Sequence, residues 1–218
     1  MSSRVSARSD AAVSERAARV PVEWSVAKRS RRGEATSGDL AVVNVLPDGA
    51  LVAGVDGLGH GAEAARAAGR AGDVVRASPG PDLVRLMQRC HIALRGTRGA
   101  AISLAFISAS EGGMTWLGVG NVEGRVVSYN RSATRPKGSL ALGRGVAGYE
   151  LPAVRTAALE IRPGDVLILA TDGVDPSFAD SLDLSGSTHA ITERIMARHR
   201  KPADDALVVA VRYLGAAR

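Results

Sequence analysis

Aspartates at the ends of short apolar runs constrain this sequence more than any other feature. They stand at four places: Asp39 before residues 40–46, Asp56 after 50–55, Asp172 after 166–170, and Asp204-Asp205 before 206–213. Runs of this length and composition are typical of buried β-strands. Strand ends are rigid supports, so these carboxylates can converge at one edge of a folded domain.

The order of the elements predicts an α+β fold. The predicted strands are residues 22–28, 40–46, 50–55, 100–108, 114–119, 124–129, 166–170 and 206–213. The predicted helices are residues 62–76, 81–95, 175–182 and 188–199, and residues 131–150 read as a glycine-rich loop. Pro47-Asp48-Gly49 joins two of the runs as a β-hairpin. Without regular βαβ alternation, the order favours two mainly antiparallel sheets packed together, with helices outside.

Composition excludes several classes of protein. Apolar residues make up 45% of the 218 residues and aromatic residues only 3%, so the core must consist of Val, Leu, Ile and Ala. The single cysteine, Cys90, excludes an internal disulfide and a cysteine-rich zinc site. No run approaches the roughly 18 apolar residues of a membrane span, and residues 1–19 lack the apolar stretch of a signal peptide. We therefore expect a soluble cytoplasmic protein without a membrane partner.

The positive charge is concentrated at the start of the chain. Residues 1–32 hold eight basic and three acidic residues, which accounts for +5 of the net charge of +6. We predict a flexible basic tail at residues 1–20 and a single domain at residues 21–218. The nearly neutral body and the scarcity of aromatic side chains for base stacking argue against a nucleic-acid partner.

The aspartates also suggest a chemistry. Carboxylates gathered at one edge repel one another unless cations neutralise them, and Mg²⁺ and Mn²⁺ prefer oxygen ligands. A glycine such as Gly57 would let a backbone carbonyl approach a cation. Taken singly, however, each Asp-Gly pair is better explained as a turn. Cys90 lies within a predicted helix with no evident activating partner, so a cysteine nucleophile is not indicated.

Four local sequences resemble the protein phosphatase 2C (PPM) family. In order, they are Ser37-Gly38-Asp39, Val55-Asp56-Gly57-Leu58-Gly59-His60-Gly61, Leu169-Ala170-Thr171-Asp172-Gly173-Val174 and Asp204-Asp205-Ala206-Leu207-Val208-Val209. The second of these, the short chain and Gly118-Val119-Gly120-Asn121-Val122-Glu123 look most like the SpoIIE-like bacterial branch, and within it the RsbX-type stressosome phosphatases. The resemblance extends from about Val22 to Tyr213.

The resemblance implies an αββα four-layer sandwich with two Mg²⁺ or Mn²⁺ ions at one edge. By this resemblance, Asp56 bridges both ions, and the Gly57 carbonyl and Asp39 complete the ligands of one. Asp172 and Asp204 hold the other ion, with the adjacent Asp205 ranked second. A water between the ions would attack the phosphorus of phosphoserine or phosphothreonine.

The sequence departs from the family pattern beside Asp56. Eukaryotic members have a histidine directly after the Asp-Gly pair, whereas this chain has Leu58 there. His60 is the candidate general acid, with a structural role at a helix start as the alternative. The candidates for a phosphate-binding cation are Lys28, Arg29, Arg31 and Arg32, with a solvated basic loop as the alternative.

The resemblance also implies a partner. The substrate would be a phosphorylated regulatory protein, of the STAS-domain type in a stressosome-like complex, and its dephosphorylation would shut off a stress response. The alternative is a binding module that keeps the phosphatase fold and holds a partner without turnover. Intact ligand sequences argue against that alternative.

Overall fold

The computed structural model describes residues 22–109, 112–130 and 133–215. The predicted tail, residues 1–20, lies outside the described residues. The strands are β1 Val22–Arg29, β2 Asp39–Leu46, β3 Gly49–Gly57, β4 Ala100–Ser108, β5 Gly113–Val119, β6 Glu123–Asn130, β7 Ala133–Ser139, β8 Leu142–Gly143, β9 Ala157–Glu160, β10 Val166–Ala170 and β11 Ala206–Tyr213. The α-helices are α1 Gly61–Arg76, α2 Leu83–Leu94 and α3 Thr188–His199, and a 3-10 helix spans Pro176–Ser181.

The strands form two sheets. Sheet A has the order β1-β11-β10-β6-β7, and all of its pairs are antiparallel. Sheet B has the order β2-β3-β4-β5-β8, and β9 also pairs with β5. Only the short β5–β8 pair is parallel among the strands that the structure describes. The expectation of two mainly antiparallel sheets is confirmed.

The molecule has four layers, and an apolar cluster lies between each two neighbouring layers. One joins α1 and α2 to sheet B and includes Leu51 and Met87. The second fills the space between the two sheets and includes Trp116 and Leu169. The third joins α3 and the 3-10 helix to sheet A and includes Ile191. Their members are mostly aliphatic, and the layer order is that of an αββα sandwich.

Three local predictions needed correction. The predicted loop at residues 131–150 contains β7 and β8, and β9 was not predicted at all. β7 is the edge strand of sheet A, where Pro136 lies opposite Val127 beside a β-bulge. Edge strands and bulges accept proline, so Pro136 is compatible with this strand. The helix predicted at residues 175–182 is a 3-10 helix with a proline in its first turn.

The predicted β-hairpin of β2 and β3 is confirmed, and its register matters for the site. Leu46 pairs with Gly49 beside the two-residue connection, and the same register places Asp39 directly opposite Asp56 at the far end. Side chains of directly opposed residues lie on the same face of a sheet.

No helix in the described part of the chain is long and apolar enough to cross a membrane.

Candidate metal centre

Two sheet ends meet where the aspartates lie. In sheet B, Asp39 begins β2 and Asp56 lies near the end of β3. In sheet A, the chain leaves β10 towards Asp172 beside the start of β11, where the Thr171 N–H donates to the Leu207 carbonyl. The Thr171 hydroxyl donates to Asp39 Oδ2 over 2.9 Å, which joins the two sheets at this edge.

The carboxylates at this edge disfavour one another's ionisation. Burial raises the pKa of Asp39 to about 8, and the neighbouring charges of Asp56, Asp205 and Asp172 add to the effect. Burial, followed by the charge of Asp172, raises the pKa of Asp56 to about 7. The pKa of Asp172 is raised by burial and by Asp204. The structure therefore gathers negative charge that a cation would neutralise.

Asn121 lies between two of these carboxylates. Its Nδ2 donates to Asp172 Oδ2 over 2.6 Å, and its side-chain hydrogen bonds oppose the rise in the pKa of both Asp56 and Asp172. The preceding Gly120 has φ +94°, and a Cβ there would come within 2.4 Å of the Ala101 Cβ. A glycine is thus required for the turn that presents Asn121 to the site.

Asp204 and Asp205 are adjacent but differ in their surroundings. Asp205 is 5% exposed, and its two carboxylate oxygens accept hydrogen bonds of 2.7 Å from the backbone N–H groups of Arg31 and Gly38. Asp204 is half-buried, accepts one hydrogen bond from the Asp205 N–H, and raises the pKa of Asp56 and Asp172. This geometry favours Asp204 over Asp205 as a metal ligand.

Close backbone contacts explain the glycine after Asp56. A Cβ on Gly57 would come within 2.1 Å of the Ala64 carbonyl oxygen, so only a glycine lets α1 approach the end of β3. The Gly57 N–H donates to the Gly38 carbonyl, and its own carbonyl oxygen would lie 3.2 Å from a Cβ on Gly38. The Gly57 carbonyl therefore lies in the crowded region where the two Asp-containing loops meet.

His60 points towards a different partner. It is the residue before α1, and its Nδ1 lies 2.9 Å from Glu34 Oε1 in the loop before β2. Among the described residues, no hydrogen bond joins His60 to any of the predicted ligands. The contact with Glu34 favours the structural alternative, in which His60 holds the loop against the helix start.

The predicted basic candidates occupy different positions. Lys28 Nζ donates to the backbone carbonyl of Asp39 over 3.3 Å, whereas Arg29 pairs with Glu193 on α3. The backbone of Arg31 is held by Asp205, and that of Arg32 by the Pro202 carbonyl. Among these four residues, Lys28 is the one whose side chain has a described hydrogen bond to one of the predicted ligands, at the backbone of Asp39.

Sequence reasoning missed a second lysine at the site. Lys201 Nζ donates to the Asp172 carbonyl over 2.9 Å, and its charge partly offsets the rise in the pKa of Asp172. Lys201 precedes a proline in a loop between α3 and β11. Such a loop position carries no sequence signal of its own.

The oxygen donors at this edge fit a hard divalent cation. In residues 22–109, 112–130 and 133–215, no three Asp, Glu, His or Cys side chains lie close enough together to ligate one ion. Mg²⁺ commonly binds through one or two carboxylates and keeps several waters. Carboxylates separated in this way suit that mode of binding. The side-chain amide of Asn121 lies between Asp56 and Asp172 and hydrogen-bonds to them.

Comparison with known proteins agrees with this architecture. The phosphoserine phosphatase RsbX of Bacillus subtilis (strain 168) is 24% identical over 178 residues, which cover 80% of this chain and 86% of RsbX. The structure of RsbX in complex with magnesium superposes with a TM-score of 0.76 at 22% identity, covering 88% of this chain and 95% of RsbX.

Two further solved structures share the fold. A chain from the bacterial stressosome, described as a modular system adapted to control secondary messenger signalling, has a TM-score of 0.79 and 28% identity, with coverage of 88% of this chain and 99% of that chain. The catalytic domain of the serine/threonine phosphatase PstP, in complex with two manganese ions, has a TM-score of 0.66 and 14% identity, with coverage of 88% and 98%. These likenesses identify the αββα sandwich as the PP2C fold.

The family assignment rests on the sequence itself. The family model for stage II sporulation protein E (SpoIIE) matches residues 47–214, which hold β3 to β11 and include all the predicted ligands except Asp39. The match therefore extends over most of the chain and over the edge where the two sheets meet. The chain belongs to the SpoIIE family, and it is a PP2C-type phosphatase related to RsbX.

Proposed function

We propose that this chain is a metal-dependent phosphatase that removes phosphate from serine or threonine of a regulatory protein. The observation that carries the proposal is the edge where burial, together with neighbouring aspartates, raises the pKa of Asp39, Asp56 and Asp172. Such an arrangement is costly in the absence of cations and becomes favourable when they bind. Membership of the SpoIIE family supports the same chemistry.

The proposed ligands are those that the family resemblance implies, and the positions of the aspartates support them. Asp56 is central, because its pKa is raised by Asp172 and Asp204 beside sheet A and it lies directly opposite Asp39 of sheet B. Asp39 and the Gly57 carbonyl would share one ion with Asp56, and Asp172 and Asp204 would hold a second. The magnesium of RsbX and the two manganese ions of PstP support Mg²⁺ or Mn²⁺ as the ions.

Two such ions supply a water of lowered pKa and neutralise the charge of the phosphoryl group. The protein's own side chains prepare the site. Thr171 orients Asp39, and Asn121 orients Asp172. Asp205 fixes the loop before β2 through two backbone N–H groups. Cys90 takes no part, because it is buried in the core and burial raises the pKa of its thiol to about 12.

The proposed partner is a phosphorylated protein of a stress-response pathway. RsbX is a phosphoserine phosphatase, and a stressosome chain shares the fold over 88% of the length of this one. A substrate of the STAS-domain type is the specific form of this proposal. We infer a cytoplasmic location as well, because a regulator of such a pathway would meet its signalling partners there.

The proposal is tested by hydrolysis of p-nitrophenyl phosphate with Mn²⁺, with Mg²⁺ and with EDTA. We expect turnover that requires the metal and falls by about a hundredfold or more in Asp56→Asn, because one carboxylate of a two-metal centre is lost. Asp73→Asn is the matched control, since Asp73 lies on the outer surface of α1 with its side chain 80% exposed.

Folded protein without metal-dependent turnover, on this substrate and on a phosphoserine protein, would contradict the phosphatase proposal. That result would favour the alternative of a binding module. Equal loss in Asp56→Asn and Asp73→Asn would show that the loss is not specific to the site.

A further inference from the structure

A groove of about 600 Å³ lies beside the candidate metal centre. Its lining includes Leu58, Gly59, Arg98, Val146, Tyr149 and Glu150. Leu58 directly follows Gly57, and its N–H donates to the Gly99 carbonyl over 3.0 Å. The groove therefore begins two residues after Asp56, and this backbone contact holds the segment of Leu58 against the segment of Gly99.

Arg98 is the cationic side chain of this groove. A Cβ on Gly59 would come within 2.6 Å of Arg98 Nη1, so the guanidinium lies over the loop that follows Asp56. Within the described part of the chain, no hydrogen-bond or salt-bridge partner of the Arg98 side chain is present. Arg29 and Arg212, in contrast, each pair with a glutamate. Arg98 therefore leaves its donors available to a ligand.

Two apolar side chains are exposed in the same groove. Tyr149 is 70% exposed and Leu58 is 37% exposed, although both are large and hydrophobic. The Tyr149 ring lies close to Gly99, where an added Cβ would come within 3.2 Å of its Cδ2. Glu150 lines the same groove without forming an ion pair with Arg98. A cation and an exposed aromatic side chain thus line the same groove.

We propose that the groove of Leu58, Arg98 and Tyr149 binds the phosphorylated segment of the substrate protein. Arg98 donates hydrogen bonds to the phosphoryl oxygens, and Leu58 and Tyr149 pack against the residues that flank the phosphoserine. This inference rests on the proposed function and adds the residues that recognise the substrate.

Physical reasons favour this occupant. The planar guanidinium donates two parallel hydrogen bonds to phosphate, which makes arginine well suited to phosphate recognition. An arginine without an anionic partner in the described part of the chain attracts a phosphate group. Exposed apolar side chains beside a charged pocket are typical of a surface that binds a protein chain.

The test compares Arg98→Ala, Arg98→Lys and Arg95→Ala in the full chain with Mn²⁺. Arg95 is also exposed and stands three positions earlier, at the end of α2, which makes it the matched control. For p-nitrophenyl phosphate and for a phosphoserine peptide, we expect KM to rise about tenfold in Arg98→Ala, as for loss of a charge-assisted hydrogen bond. Inhibition by inorganic phosphate should weaken in parallel, Arg98→Lys should be intermediate, and Arg95→Ala should match the wild type.

Tyr149→Ala separates the two parts of the groove. This variant should raise KM for the phosphoserine peptide and leave KM for p-nitrophenyl phosphate unchanged, because the small substrate has no flanking chain. Unchanged KM and unchanged phosphate inhibition in Arg98→Ala would overturn the inference. An equal effect in Arg95→Ala would also overturn it, since only the overall charge would then matter.

Binding without turnover distinguishes this inference from the proposed function. Calorimetry with Mg²⁺ and a peptide carrying a non-hydrolysable phosphonate analogue of phosphoserine measures the groove directly. We expect about tenfold weaker binding to Arg98→Ala than to the wild type. If the wild type shows no turnover but Arg98→Ala still binds the peptide more weakly than the wild type does, only the phosphatase proposal is rejected. If the wild type shows normal turnover but the two proteins bind the peptide equally, only the proposed role of the groove is rejected.

Discussion

At the scale of single residues, Asp204 and Asp205 carry the same functional group in different surroundings. Asp205 is buried and has both oxygens bound to backbone N–H groups, whereas Asp204 lies closer to solvent and raises the pKa of Asp56 and Asp172. A buried carboxylate that satisfies two backbone donors stabilises the loop that contains them. A carboxylate that accepts fewer hydrogen bonds remains available to a cation.

These surroundings predict that Asp205→Asn affects stability, whereas Asp204→Asn affects metal binding. Asp205→Asn should lower the free energy of unfolding by about 1–3 kcal/mol, because the amide cannot accept at both positions and one buried N–H loses its partner. Asp204→Asn should leave stability in EDTA within about 0.5 kcal/mol of the wild type and should weaken Mn²⁺ binding. Urea denaturation in EDTA and metal titration measure the two quantities. A larger stability loss in Asp204→Asn would contradict this division of roles.

The sequence predicted the carboxylates of the site but not the residues that orient them. The aspartates were recognisable because each stands at the end of an apolar run. Asn121 belonged to a stretch that contributed only to the family resemblance, and Lys201 and Arg98 stand in loops without a pattern. Their positions depend on which strand ends lie side by side, which a local pattern does not contain. The ligand assignments themselves remain predictions.

At the scale of elements, the contact between β3 and α1 depends on a missing side chain. Gly57 lies where a Cβ would come within 2.1 Å of the Ala64 carbonyl oxygen, and the neighbouring backbone cannot rotate away as a side chain can. Gly69, on the same helix, has no atom within 4 Å of an added Cβ. A substitution at Gly57 therefore tests packing, and a substitution at Gly69 tests helix propensity.

Alanine substitutions at these glycines should have opposite signs. Gly57→Ala should destabilise the protein by about 1–3 kcal/mol, because α1 must move away from the strand end. Gly69→Ala should stabilise it by about 0.5–1 kcal/mol, because alanine is the better helix former. Thermal and urea unfolding of both variants provide the comparison. Equal stability of Gly57→Ala and the wild type would show that the strand end yields easily.

Most elements were predictable because their patterns are local. α3 and β11 begin and end at the predicted residues, and α1 and α2 differ by only one or two residues at their ends. β7 and β9 were missed because both are edge strands, and β9 is mostly exposed. An edge strand is defined by its neighbour, and proline or an exposed surface weakens its own signal.

At the scale of the whole molecule, two sheets share one titrating edge. Thr171 of sheet A holds Asp39 of sheet B, so the charge state of the edge acts on the packing of both sheets. In the folded protein the pKa values of Asp39 and Asp56 are about 8 and about 7, whereas both return to about 3.9 on unfolding. The folded state therefore holds more protons than the unfolded state between these values.

The stability of the metal-free protein should consequently fall as pH rises. The contribution of these protonated carboxyls is fully present below about pH 4 and is lost as pH rises through about 7 to 8. Saturating Mn²⁺ should remove or reverse this slope, because the ions bind the ionised form. Melting temperatures at pH 5.5 and pH 8 in EDTA and in Mn²⁺ test the linkage. A metal-free protein that is more stable at pH 8 than at pH 5.5 would contradict it.

The two-sheet arrangement followed from the order of the runs together with the family resemblance. The order of strands within each sheet did not, since β11 pairs with β1 and β10 across distances in sequence that no local pattern encodes. The N-terminal tail and the single-domain boundary remain predictions, because residues 1–21 lie outside the described part of the chain.

The hairpin of β2 and β3 has a consequence for how this chain tolerates insertions. Only Pro47 and Asp48 connect the strands, and the ladder runs without interruption from Leu46–Gly49 to Asp39–Asp56. A shift of one residue in an antiparallel ladder moves side chains to the opposite face. The length of the connection at one end of the hairpin thus determines which residues are paired at the other end, where the carboxylates lie. An extra residue that joined the ladder at the connection would separate Asp39 from Asp56, although no ligand had been substituted.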